Sequence, residues 1–258
     1  MISKNRIKYL HSLELKKNRK ESGEFIGEGP KLVEELLKVF ECTWLGATEK
    51  WMSAHPELVR QLRERNTATD AVGEDELRRA SLLQHPQEVM AVFRQPVYTM
   101  DLHTVGATSL CLALDGVQDP GNLGTIVRIA DWFGVEDIIC SPQTADIYNP
   151  KSVQATMGSM ARVRVHYTDL PAFVDGLPDD VPVYGTLLDG KSIYEQPLSP
   201  CGVIVMGNEG NGLTQQLRER ITHRLFIPNY PQGKDTAESL NVAVATSIIC
   251  AEFRRRML

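Results

Sequence analysis

Asp119-Pro-Gly-Asn-Leu-Gly-Thr-Ile-Val-Arg128, Met206-Gly-Asn-Glu-Gly-Asn-Gly-Leu213 and Ile227-Pro-Asn-Tyr-Pro-Gln-Gly-Lys-Asp-Thr-Ala-Glu-Ser-Leu-Asn-Val-Ala243 are the stretches on which the reading of this chain turns. Each follows an apolar run of strand type, over residues 109–115, 202–206 and 225–228. Each carries Gly, Asn or Ser where a backbone must turn sharply or approach a ligand closely.

Working outward, strands are also expected over 135–140, 163–166 and 183–187. Helices are expected over 122–133, 149–160, 213–221 and 238–256. The helix at 122–133 sets Leu123, Ile126, Val127, Ala130 and Phe133 on one side and stops at Gly134. This alternation predicts an α/β fold with a mostly parallel sheet covered on both faces. A boundary is expected near 95–108. It separates residues 1–98, a small α/β domain, from a second domain at 109–258. In the first, a basic helix is predicted over 4–18 and a strand over 25–28. Gly29-Pro30 opens a helix carrying Leu32, Val33, Leu36, Leu37 and Phe40. A strand over 43–46 and helices over 55–65 and 75–83 follow.

The 258 residues suit one large domain or two smaller ones. No apolar run approaches the roughly 20 residues of a membrane span. The first twenty residues lack a signal-peptide core. A cytoplasmic protein is expected, with no membrane partner. The five cysteines are scattered, without CxxC pairs or a histidine at zinc spacing, so buried free thiols and no metal centre are expected. The net charge of −5 argues mildly against a nucleic-acid partner. Residues 1–22 nevertheless hold Lys4, Arg6, Lys8, Lys16, Lys17, Arg19 and Lys20 against Glu14 and Glu21, a local balance of +5. Such an arm either neutralises phosphates or is the solvated face of an amphipathic helix.

In the first segment Asn122 stands at a predicted N-cap, serving the helix alone or an anion there as well. Arg128 follows within the helix, and Asp131 is spaced to pair with it. The second segment leaves the carboxyl end of a parallel strand, where ligands bind in such sheets. Glu209 is its only carboxylate. Gly207, Gly210 and Gly212 do not have the spacing of a nicotinamide-dinucleotide loop. Ser239 and Asn241 fall in the predicted first turn of the last helix, suited to capping or to a polar pocket.

Taken together, NxGTxxR, then GxExxGL after a strand, then IP followed by SLNVAVA resemble the three motifs of the SpoU/TrmH family of RNA methyltransferases, within the SPOUT superfamily. The resemblance covers about residues 109–256. Phe25-Ile-Gly-Glu-Gly-Pro-Lys-Leu-Val-Glu-Glu35 and Pro86-Gln-Glu-Val-Met-Ala-Val-Phe-Arg-Gln-Pro96 resemble that family's accessory substrate-binding domain, of ribosomal-protein type. Two features depart from the pattern. The link at 229–237 is longer than usual, and Gly27 stands where an apolar residue is usual, which weakens the expected strand.

The resemblance implies a C-terminal SPOUT α/β-knot domain with a deep trefoil knot, preceded by a small α/β substrate-binding domain. It implies methyl transfer from S-adenosylmethionine to a ribose 2′-hydroxyl of rRNA or tRNA. The cofactor would lie against Thr186, Leu187, Met206, Gly207, Asn208, Gly212, Ile227 and Leu240. Asn122, Arg128, Glu209, Ser239 and Asn241 would form the catalytic set. Arg128 would polarise the hydroxyl and anchor phosphate, since a guanidinium, with an ordinary pKa above about 12, is a poor proton acceptor. Lys4, Arg6, Lys16 and Arg19 would join it in binding RNA. A homodimer is implied, with Arg128 acting within its own subunit or across the interface. An RNA-binding module without catalysis is the rival reading, and the intact catalytic set speaks against it.

Overall fold

The basic N-terminal stretch forms two helices, not the single one expected over 4–18. They are α1 (Lys4–Ser12) and α2 (Lys16–Ser22). The break has a physical cause. Leu13 is fully buried, and Arg19 Nη1 turns back to donate to the carbonyls of Leu13 at 2.8 Å and Glu14 at 2.7 Å. Those carbonyls would otherwise be orphaned at the end of α1.

The computed structural model describes residues 2–257 apart from 102, 103, 209, 232–236 and 238. After α2 come β1 (Glu24–Glu28), α3 (Pro30–Leu37), β2 (Cys42–Ala47), α4 (Glu49–Ala54), α5 (Pro56–Glu64), β3 (Ala68–Ala71), α6 (Glu74–Ala80) and β4 (Val89–Arg94). Then follow β5 (Leu110–Leu114), α7 (Pro120–Trp132), β6 (Asp137–Cys140), α8 (Pro150–Thr156), β7 (Arg164–Tyr167), α9 (Leu170–Asp175), β8 (Val183–Ser192), β9 (Gly202–Met206), α10 (Gln215–Arg218), β10 (His223–Phe226) and α11 (Val242–Arg255). The chain divides into two units. One holds Met1–Val97 and Asp146–Ala161, the other Tyr98–Ala145 and Arg162–Leu258.

In the first unit the sheet order is β1-β4-β2-β3, with only β2 and β3 parallel. Gly29, at φ +94°, precedes Pro30 at the start of α3, whose Leu32, Val33 and Leu36 are buried. Gly27 does not weaken β1. It pairs in register with Ala91, and a Cβ there would stand 2.9 Å from Leu36 Cδ1 and 3.1 Å from Phe93, so those side chains occupy the space. Phe25 packs within 5.0–5.5 Å of the rings of Phe40, Phe93 and Tyr148. Tyr148 belongs to the 146–161 segment, as does Asp146, which pairs with buried Arg19 at 2.7 Å. That ion pair and ring contact fix the segment to β1 and α2.

The second unit holds a parallel sheet in the order β10-β8-β9-β5-β6-β7. The central strands β5 and β9 are buried on both faces, which explains their unbroken apolar sequences. The chain runs outward from β5 through β6 to β7, then returns on the other side of β5 through β8 and β9. Adjacent β5 and β9 therefore form the topological switch point, the place where such sheets bind ligands beyond their carboxyl ends. The last helix, α11, packs on α7. Burial pushes the Cys250 thiol, on α11, up to about 12, and raises those of Cys111 and Cys140 as well. These cysteines are packing groups.

Candidate active site

At the switch point the turn after β5 meets the glycine-rich loop after β9. Asp115 is buried and its N–H donates to Met206 O at 2.9 Å. Gly116 follows at φ +69°, a backbone state that favours glycine. Its N–H donates to Ser141 Oγ at 3.0 Å, and Ala145 N–H donates to Val117 O at 2.9 Å. The turn is thus held from the β6 side too.

The loop itself is a small closed ring. Asn208 N–H donates to Gly212 O at 3.0 Å, and Gly212 N–H to Asn208 O at 2.9 Å. Gly212 has φ +66°. A Cβ on Gly207 would lie 2.4 Å from the Gly212 carbonyl carbon, so this closure requires glycine. The Asn208 side chain braces the ring. Nδ2 donates to Gly116 O at 2.8 Å, while Oδ1 accepts from Gly210 N–H at 2.9 Å and Asn211 N–H at 3.1 Å. The side chain of Asn208, a residue expected to line the cofactor site, thus bonds both to its own loop and to the turn after β5. Glu209 lies outside the described residues.

The first segment departs from expectation at its cap. Asp119, not Asn122, caps α7, its Oδ1 accepting from Asn122 N–H at 2.8 Å, with Pro120 in the first helical turn. Asp and Asn are equally good caps, and Pro suits the first helical position. The Asn122 side chain instead points at the third segment, where Asn241 Nδ2 donates to its Oδ1 at 3.0 Å. That segment also differs from expectation. α11 begins at Val242, and Asn241 is its N-cap, with Oδ1 accepting from Ala243 N–H at 3.0 Å and Val244 N–H at 3.3 Å. Ser239 lies ahead of the helix and is exposed. Arg128 is exposed on α7, six residues or roughly 9 Å of axis beyond Asn122. The Asp131 carboxylate, spaced to pair with it, is instead gripped by Arg162 in a fork at 2.9–3.1 Å.

Along β8 the register jumps. Gly185 faces Arg224 and Lys191 faces Leu225, so 186–190 form an arch that interrupts the pairing with β10. Thr186 and Leu187 lie in this arch, half-buried and buried, with Thr186 Oγ1 donating to Val205 O at 3.4 Å. Met206 is buried, Ile227 half-buried and Leu240 exposed at 47%. Apolar side chains combined with backbone amides and carbonyls suit a flat, uncharged purine. Residue types of this kind are chemically compatible with the adenosine of S-adenosylmethionine.

Arg19 does not serve as a surface phosphate contact. It is 1% exposed, its donors engaged by Leu13, Glu14 and Asp146. Lys4 and Lys16 are exposed, and Arg6 is half-buried over the rings of Tyr9 and Trp44. Sequence reasoning gave no part to Asp115 or Asp119. The available signal was a carboxylate ending a fully apolar strand, followed by Gly, and a second one placed before Pro.

Residues 109–251 match the profile described as the SpoU rRNA Methylase family, and residues 4–91 match the MRM3-like substrate binding domain. The chain belongs to the SpoU rRNA methylase family. It is similar to the 23S rRNA (guanosine(2553)-2'-O)-methyltransferase RlmP of Bacillus subtilis, at 33% identity over 96% of both chains. Among solved structures it is similar to an RNA methyltransferase of the TrmH family from Porphyromonas gingivalis. The identity is 40%, 99% of each chain is covered, and the TM-score is 0.85. It is also similar to the AdoMet-bound rRNA methyltransferase from Sinorhizobium meliloti, at 28% identity over 100% of this chain and 97% of that one, with a TM-score of 0.86. These likenesses span both units of this SpoU protein. No helix among the described residues is long and apolar enough to cross a membrane.

Proposed function

We propose that this SpoU protein transfers the methyl group of S-adenosylmethionine to a ribose 2′-hydroxyl of large-subunit ribosomal RNA. The observation that carries the proposal is the Asn241–Asn122 hydrogen bond. It joins the first and third motifs, while the Asn208–Gly116 bond ties the second to the turn that leads into the first.

The cofactor supplies a methyl group already activated on a sulfonium. The protein must align the acceptor oxygen and ease the loss of its proton. Met206, Gly207 and Gly212, with Leu187, Thr186, Ile227 and Leu240, hold the cofactor through apolar contact and backbone groups. Asn122 and Asn241 present amide groups at the entry of α7 and α11 and orient the ribose. Arg128 donates to the 2′-hydroxyl or the adjoining phosphate, favouring the developing alkoxide electrostatically. Ser239 completes the polar pocket with Asn241, and the role assigned to Glu209 is to orient Arg128. Lys4, Arg6 and Lys16 on the first unit engage phosphates.

The choice of rRNA over tRNA rests on RlmP, a likeness that extends through both units. We also propose a cytoplasmic homodimer, packed through α7 and α11 near the expected trefoil knot. Two exposed apolar groups on those helices support it: Trp132 at 85% and Val244 at 49%.

The test incubates the protein with methyl-labelled S-adenosylmethionine and, separately, protein-free 23S rRNA, intact ribosomal subunits and bulk tRNA. Alkali-resistant dinucleotides then report 2′-O-methylation. Label in rRNA alone is expected. Label in tRNA alone would overturn the substrate choice, and base methylation would overturn the reaction.

A further inference from the structure

Both ends of the glycine-rich loop are tied to two adjacent residues of the turn after β5. At its start, Asn208 Nδ2 donates to Gly116 O at 2.8 Å. At its end, Thr214 N–H donates to Asp115 Oδ2 at 2.7 Å. Asp115 lies before the first motif and Thr214 just after the second. The Asp115 carboxylate is buried at the carboxyl end of β5. At 2.7 Å the bond from Thr214 lies at the short end of the N–H···O range. Thr214 is exposed, so its side chain contributes little to the contact.

This arrangement has a mechanical consequence. Gly207, Gly210 and Gly212 leave the loop backbone few side-chain restraints. Internal bonds close its 208–212 ring, but they do not fix the ring relative to the sheet. That task falls to the two outer ties together with Leu213, which is buried in the core at the end of the loop. Since the Asp115–Gly116 turn is itself held by Ser141 and Ala145, it is a rigid post. The same turn leads through Asp119 into α7, which carries Asn122 and Arg128.

We infer that Asp115 is a positioning residue, which clamps Thr214 so that the described loop backbone, Gly207, Asn208 and 210–213, is fixed in the conformation that receives the cofactor. The inference rests on the reading of 206–213 as the cofactor loop.

The experiment is calorimetric titration of S-adenosylmethionine into the full-length protein and five variants. Thr214→Pro deletes the donor N–H and leaves the core untouched. The backbone there already has φ −60° and ψ 151°, which proline accepts. Thr214→Ala keeps the N–H. Asp115→Leu removes the acceptor, and Asp115→Asn retains an acceptor oxygen. Gly207→Ala introduces the clash with Gly212 and tests the loop itself.

Thr214→Pro and Asp115→Leu are expected to weaken cofactor binding about ten-fold or more. Thr214→Ala and Asp115→Asn should stay within about three-fold of the parent, with RNA affinity unchanged in all four. A merely structural role would lower the thermal midpoint of Thr214→Pro without this selective loss. Equal affinity of Thr214→Pro and Thr214→Ala, with Gly207→Ala impaired, would overturn the clamp while leaving the loop as the cofactor site. Normal binding by Gly207→Ala as well would overturn the loop assignment and the clamp together. Should Asp115→Leu fail to fold, the Thr214 pair still decides the matter.

Discussion

Asn241 Nδ2 donates to Asn122 Oδ1 at 3.0 Å, while Asn241 Oδ1 accepts two N–H groups from the first turn of α11. One amide thus has two separable duties: capping a helix and holding Asn122. Asn241→Asp retains both cap acceptors and adds negative charge at a helix N-terminus, which is favourable. It removes the donor to Asn122. The expected outcome is a melting temperature at or above the parent's with much reduced methyl transfer. Asn241→Ala should lose transfer and about 0.5–2 kcal/mol of stability, measured by urea unfolding. Full activity in Asn241→Asp would separate the bond from catalysis.

Arg128 stands exposed on α7, and its predicted counter-ion, Asp131, is bound by Arg162. Arg128→Ala should reduce transfer by about 10²–10³-fold, the effect of deleting one transition-state donor. Cofactor affinity by calorimetry should not change, because the loop after β9 is untouched. Arg128→Lys should recover only part of the rate, since an ammonium cannot present a planar fork to hydroxyl and phosphate. A loss of cofactor affinity equal to the loss of rate would place Arg128 in the cofactor site instead.

The parallel core was legible because β5 and β9 are buried on both faces and read as unbroken apolar runs. The boundaries of α7 and α11 were not. Several polar residues compete for each cap, and spacing alone does not say whether Asp119 or Asn122, or Ser239 or Asn241, takes it. The membership of 146–161 in the first unit was also illegible, because it depends on Arg19 finding Asp146 and Phe25 finding Tyr148. For Arg19 the charge count misled. Its guanidinium donates inward to two carbonyls and a carboxylate, a pairing visible only once α1 ends at Ser12.

Asp137, on β6, offers a pH test of the sheet edge. Burial alone would raise its pKa, but bonds from Arg164 at 2.7 and 2.6 Å and from His166 at 2.9 Å outweigh that. The carboxyl is held well below the usual carboxylate range. A depressed folded-state pKa stabilises fully above the unfolded value of about 4 and loses that stabilisation as pH falls through the folded one. Asp137→Asn should therefore melt below the parent at pH 7, and the gap should close as pH falls below about 4. A gap that is constant from pH 7 to 3 would mean that packing, not charge, carries the effect.

Arg19 and the other cations of the same N-terminal stretch, Lys4, Arg6 and Lys16, should respond to mutation in different ways. Arg19→Ala leaves Asp146 and two carbonyls without their donor. Breaking a buried pair in this manner costs about 3–5 kcal/mol, so unfolding should begin at lower urea. Replacing Lys4 and Lys16 by Ala removes exposed groups, and Arg6→Ala adds only the loss of its ring contacts, about 0.5–1 kcal/mol, so stability should fall far less than in Arg19→Ala. RNA affinity should fall instead, and the slope of log K against log salt should flatten by about one for each phosphate no longer neutralised. Arg6 carries a further signature. Its guanidinium sits 5.5 Å from the Trp44 ring centroid, so Arg6→Lys keeps charge but loses the stacked plane. A weaker complex for Arg6→Lys with an unchanged salt slope would assign Arg6 to shape-dependent recognition. An unchanged affinity in the triple variant would remove this face of the first unit from the RNA-binding surface.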